Sequence, residues 1–169
     1  ELVVKQSIFF SATDFQDYLQ NKQKLFACAS KFFTHLPPTS LLSQSPDNAS
    51  VVLEISLLEG AQASEITLKK SGEISWCVFR RSTTKLIFAA GLQFNEDHDD
   101  LLVQSTAAFG LAEQILLAEE LAFSDILRQW NYIAQITRLV KIEGKVSQHY
   151  QIFNDVRSKY YGKTDFENG

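Results

Sequence analysis

At 169 residues the chain is long enough for one domain, or one domain with an appendage, and with 45% hydrophobic and 21% charged residues it falls in the ordinary globular range that can bury a core. A net charge of −4 argues against nucleic acid as the main partner, while leaving room for a locally basic site. No apolar run approaches the ~20 residues of a membrane span, and the start Glu-Leu-Val-Val-Lys-Gln-Ser lacks the charged-then-apolar build of a secretory signal, so the expectation is a cytoplasmic protein with no membrane partner.

Leu2 to Phe10 reads as a strand, since Val3, Val4, Ile8 and Phe9 favour sheet. Ser11 to Asp14 offers short oxygen side chains for a helix start. Asp14 to Phe33 is expected to be helical, with Phe15, Leu19, Phe26 and the Phe32/Phe33 pair as a broken apolar stripe, stopped by Pro37-Pro38. Residues 37–50, rich in Ser, Pro and Asn, read as a long loop. Asn48-Ala49-Ser50 within it is a formal glycosylation sequon, read simply as loop.

Val51 to Leu58 alternates as a strand should, and Ile66 to Leu68, Ile74 to Phe79 and Lys85 to Ala89 read as a meander turned at Ser71-Gly72 and Arg81 to Thr84. Ile74 to Phe79 is apolar on both faces, which places it inside the sheet. Leu101 to Leu121 is the clearest helix, with Gly110 inside it and Glu113, Glu119 and Glu120 expected on its wet side. The run Glu96-Asp97-His98-Asp99-Asp100 before it has metal-binding chemistry, but consecutive residues rarely converge on one ion. Acids ahead of a helix favour its positive end, so Asp99 or Asp100 is expected to start the helix and no metal is expected. Cys28 and Cys77 have no metal-like spacing and read as buried, reduced thiols.

A strand is expected over residues 125–133, with Arg128, Trp130 and Tyr132 on one face and Leu127, Gln129, Asn131 and Ile133 on the other. Thr137 to Gly144 is a connector, and Val146 to Tyr161 a helix closed by Gly162. On that helix Tyr150, Phe153 and Arg157 are spaced to share a side. Aromatic hydroxyls, an indole and two guanidiniums in so short a span suit a pocket for a flat, carboxylated ligand, because the Arg fork matches a carboxylate. Packing plus solvated charge is the plainer reading of the same residues. His35, His98 and His149 are scattered and read as surface or capped histidines, His149 alone lying beside this stretch. No phosphate loop, nucleophile elbow or His-Glu-x-x-His pair occurs, and no cofactor or catalytic acid is identifiable.

The order Arg-x-Trp-Asn-Tyr-Ile at Arg128 to Ile133, followed by Tyr-x-x-Phe-x-x-x-Arg at Tyr150 to Arg157, resembles the chorismatase family, also known as pteridine-dependent dioxygenase-like proteins. The likeness covers roughly residues 50–165. It implies an α+β fold, a mixed β-sheet with helices packed on one face, of the YjgF/chorismate-mutase-like kind. The implied organisation is an N-terminal strand, helix and loop appendage at 1–50, a YjgF-like domain at 51–162, and a linker at 163–169 to a second YjgF-like domain. The chain stops at Asn168-Gly169, about where that second domain would begin, and starts with Glu1 without any Met; a piece of a longer protein and the loss of modified methionines from the sequence both fit.

The activity implied is that of a hydrolase of secondary metabolism acting on chorismate, releasing pyruvate by enol-ether hydrolysis. By the same resemblance Arg128 and Arg157 would hold carboxylates, Tyr132 and Tyr150 would donate hydrogen bonds, Trp130 and Phe153 would pack the ring or brace the wall, and Asn131 would line the site or lock the backbone. The alternative is a non-catalytic YjgF-like module for small-molecule binding or assembly, since aromatic and Arg side chains are also what interfaces favour.

Overall fold

A computed structural model of the chain describes residues 2–93, 100–142 and 144–162. The expected linker at 163–169 and the acidic run at 96–99 lie outside the described residues. The chain divides into two compact units, Glu1–Gly91 and Leu92–Gly169. Helices and sheets occur in both, so the α+β class holds.

The first unit opens with β1 (Leu2–Phe10), α1 (Phe15–Ala29), β2 (Thr39–Ser43) and β3 (Val51–Leu58). They form a mixed sheet in the order β2-β1-β3, with β1 and β2 parallel, Ile8 opposite Leu41, and β1 and β3 antiparallel, Ile8 opposite Leu53. A parallel pair needs a crossover, and α1 supplies it. Asp14 caps α1 by accepting from the Asp17 N–H at 2.9 Å. Tyr18, Leu25 and Phe26 of α1 lie on Ile8, Phe10 and Leu41 of the sheet.

This sheet corrects three expectations. The segment 37–50 is not all loop. Pro38 sits just ahead of β2, where a missing N–H does no harm, and its carbonyl accepts from Gln6 N–H at 2.9 Å. The expected cut at residue 50 runs through the sheet, because β1 pairs with β3 along its length. Helix α1 stops at Ala29 rather than Phe33, because the Lys31 and Phe32 N–H groups reach back three residues, to Cys28 and Ala29, and tighten the chain out of the helix. Cys28 on α1 is exposed, whereas Cys77 is buried as expected.

The meander follows: β4 (Ile66–Ser71), β5 (Ile74–Arg81) and β6 (Thr84–Ala89), antiparallel in that order. β5 is central, and its Ile74, Trp76, Cys77, Val78 and Phe79 are buried, as an apolar run on both faces requires. Arg81 forks onto both carboxylate oxygens of Glu65 at 2.7 and 2.6 Å and onto the Gly60 carbonyl at 2.7 Å. That grip holds the Glu65 carboxyl well below the usual carboxylate range, to about 2.

The second unit contains α2 (Leu101–Ala118), a two-stranded hairpin of β7 (Leu139–Ile142) and β8 (Lys145–Gln148), and α3 (His149–Tyr161). Asp100 caps α2 by accepting from the Leu102 and Val103 N–H groups, as one of the two expected acids. α2 ends at Ala118 because Glu120 takes a positive φ of 57° and the Leu121 N–H returns to the Leu116 carbonyl at 2.8 Å. Glu119, expected on the wet side, is only 2% exposed, since the chain reverses there. By length and composition α2 could cross a membrane, contrary to the sequence expectation, though the core helix of a soluble protein passes the same test.

Phe109 of α2, Phe123, and Phe153 and Val156 of α3 form this unit's core, with Tyr160 stacked on Phe109 at 5.2 Å. The helix expected from Val146 starts at His149, because residues 145–148 pair with β7 instead. Gly162 closes α3 as expected, its N–H meeting the Ser158 carbonyl at 2.7 Å. Three small sheets therefore stand among the described residues, where one mixed sheet was expected.

Candidate functional site

The stretch from Ile126 to Arg138 is not a strand. A 3-10 turn at Phe123–Asp125 leads in, with the Asp125 carboxylate accepting from the Ala122 N–H at 2.8 Å. Beyond Tyr132 the backbone carbonyls serve the start of α3 instead of a ladder. Ile136 accepts from the Tyr150 N–H at 3.0 Å, and Arg138 from the His149 N–H at 2.9 Å. These contacts satisfy two of the free N–H groups that every helix start leaves. Gln148, at the cap position, contributes no side-chain bond. β-propensity in this stretch thus gives way to the needs of a helix end.

Without the ladder the two expected faces are lost, and only neighbouring pairs keep the alternation. The Arg128 guanidinium lies over the Trp130 ring, 4.6 Å from its centroid. Gln129 and Asn131, on the other parity, join through Nε2 to Oδ1 at 2.7 Å. Ile126 and Ile133 turn inward onto the Phe109–Phe153 core, while Leu127 is 87% exposed. Trp130 and Tyr132 are 51% and 47% exposed.

On α3 the buried stripe is His149, Ile152, Phe153 and Val156. Tyr150 and Arg157 are exposed, so the three residues spaced to share a side part company: Phe153 braces the core and the other two face solvent. Arg157 lies over the Tyr161 ring at 5.2 Å, and the Tyr161 hydroxyl donates to Gln129 Oε1 at 2.6 Å. Burial pushes the Tyr161 phenol above its ordinary value, and the Arg157 charge works against that rise. A chain of contacts therefore runs Arg157, Tyr161, Gln129, Asn131, and joins α3 to the irregular stretch.

Neither Arg128 nor Arg157 has a carboxylate partner among the described residues. Both forks can accept an anion, and each is steadied from behind by an aromatic ring. The guanidiniums are solvent-exposed, however. An exposed ion pair is worth only ~0–1 kcal/mol, well short of the ~1.5–3 kcal/mol of a charged hydrogen bond in a dry site. Asn131 is occupied with Gln129 and is not a backbone lock. Gln129 and Tyr161 join the group unannounced by the sequence reading, although the i,i+4 spacing of Arg157 and Tyr161 was there to be seen. His149, expected at the surface or as a cap, is 6% exposed. Among the described residues no three His, Cys, Asp or Glu side chains gather as a metal site would need.

Comparison with protein-family models, curated proteins and solved structures finds no match. The case for function rests on the residues alone.

Proposed function

We propose that Arg128, Trp130, Tyr132, Tyr150 and Arg157 form one wall of a site for a small carboxylated ring, and that the chain is the N-terminal part of a chorismatase-like hydrolase. The observation that carries this reading is that Arg128 and Arg157, each over an aromatic ring, have no carboxylate partner among the described residues, in a unit where Trp130, Tyr132 and Tyr150 are about half exposed. Flat apolar surface beside two cations fits a ring bearing two carboxylates. In this reading the chain is cytoplasmic, its fold is YjgF-like, and a second domain of the same protein closes over the wall and excludes water. The closing partner matters energetically, because exclusion of water is what raises an Arg–carboxylate contact above the surface value.

The reaction would be hydrolysis of the chorismate enol ether with release of pyruvate, by protonation of the enol ether and addition of water. This wall would bind and orient; the proton donor would come from the other side. A second reading has its own support. Half-exposed Trp130, Tyr132 and Tyr150 beside Arg128 are also the composition of an assembly surface.

The test is the protein incubated with chorismate, with pyruvate release and binding both followed. Binding, with pyruvate formed when the second domain is present, supports the hydrolase. No binding and no pyruvate, with self-association lost on Trp130→Ala, supports the assembly reading instead.

A further inference from the structure

His149 is the one polar side chain of α3 in the buried stripe, and its ring orientation is fixed by chemistry. Its Nδ1 lies 3.1 Å from the Ala134 carbonyl oxygen. A carbonyl can only accept, so a proton sits on Nδ1, and in the neutral ring Nε2 then keeps its lone pair. No other side-chain hydrogen bond of His149 occurs among the described residues, and no buried side-chain nitrogen or oxygen there lacks a partner. Nε2 therefore touches solvent, although the residue is 6% exposed. The main chain around it belongs to the wall: Ala134 follows Tyr132 by two residues, Tyr150 is the next residue along α3, and the His149 N–H is held by the Arg138 carbonyl.

We propose that His149 Nε2 is a hydrogen-bond acceptor of this wall and takes the hydroxyl of the carboxylated ligand. The inference rests on the binding reading above and names the residue that receives the ligand's hydroxyl. Guanidinium and indole N–H groups only donate, and serve carboxylates, while the Tyr132 and Tyr150 hydroxyls can do either. A tautomer-locked Nε2 only accepts, and serves an O–H. A site built to accept from a hydroxyl discriminates against the analogue that lacks it, because the acceptor is then left without a partner.

The experiment is long-range proton–nitrogen NMR of the histidine rings, with the Trp130 indole N–H as an independent reporter of occupancy. The ligands are chorismate, which bears a ring hydroxyl, and its analogue without that hydroxyl. In the free protein His149 should show a protonated Nδ1 and a bare Nε2. Saturating chorismate should move both Nε2 and the Trp130 indole, while the deoxy analogue moves only the indole. His149→Asn keeps an N–H for Ala134 and offers nothing at the Nε2 position. It should weaken chorismate roughly 3- to 10-fold and leave the analogue unchanged. A proton on Nε2 in the free protein would overturn the inference, as would a Trp130 response to chorismate with Nε2 unmoved, or equal weakening of both ligands by His149→Asn. Silence of Trp130 toward both ligands would remove the binding reading itself, and this inference with it.

Discussion

The Tyr161 hydroxyl, donated to Gln129, links α3 to the irregular stretch. Replacing Tyr161 with Phe should cost about 0.5–1.5 kcal/mol in denaturant unfolding at neutral pH. Its raised pKa adds a pH signature. The folded state holds the phenolic proton more tightly than the unfolded chain, whose tyrosines ionise near ~10. Stability is therefore fully present below pH ~10 and falls as pH rises through the folded value, and Tyr161→Phe should flatten that alkaline loss. Glu65 behaves in the opposite sense. Its carboxyl is held down to about 2 by Arg81. The contribution is present above the ordinary carboxylate pKa of ~4.3 and disappears as pH falls toward the folded value. Glu65→Gln should melt below the parent at pH 7, and the two melting curves should converge in strong acid. Convergence at pH 5 would mean that the fork onto Arg81 does not persist in solution.

At the scale of elements, the turn after β6 depends on Gly91. Its φ of +70° lies in the left-handed region, its N–H donates to Ser40 Oγ at 3.0 Å, and a Cβ there would collide with the Thr39 carbonyl. Gly91→Ala should therefore destabilise by about 1–3 kcal/mol, read from the denaturant midpoint. Phe109 joins α2 to α3 and touches Phe123, Phe153, Tyr160 and Tyr161. Phe109→Ala should cost about 3–5 kcal/mol. The elements with a clean period were legible in the sequence: β1, β3, the β4–β6 meander and α2 all lie where alternation or apolar spacing puts them. The misreadings have physical causes. β2 hides behind two prolines, because Thr39 to Ser43 is only five residues long and gains its place by pairing with β1. The Leu127–Ile133 stretch has the residues of a strand, yet the carbonyls that follow it are drawn to the N-terminus of α3. Local propensity cannot register either tertiary demand.

Over the whole molecule, a net charge of −4 coexists with two exposed guanidiniums, Arg128 and Arg157, each over an aromatic ring, which are the cations of the proposed wall. The residue types of that wall were legible from composition and spacing. Its openness was not, because exposure depends on how the chain turns between Ile126 and α3. The partnership of Tyr161 and Gln129 depends on the same turn, across 32 positions of sequence. Arg128 and Arg157 should be dispensable for folding, each alanine variant staying within about 0.5 kcal/mol of the parent, because neither is buried or salt-bridged among the described residues. The most direct measurement is a chorismate titration followed by the two indole N–H signals, Trp76 in the core serving as the internal control for Trp130 on the wall. Saturable movement of Trp130 alone, lost when Arg128 and Arg157 are both alanine and the fold is retained, is the predicted result. An unmoved Trp130, or the same response in the doubly substituted protein, would contradict it.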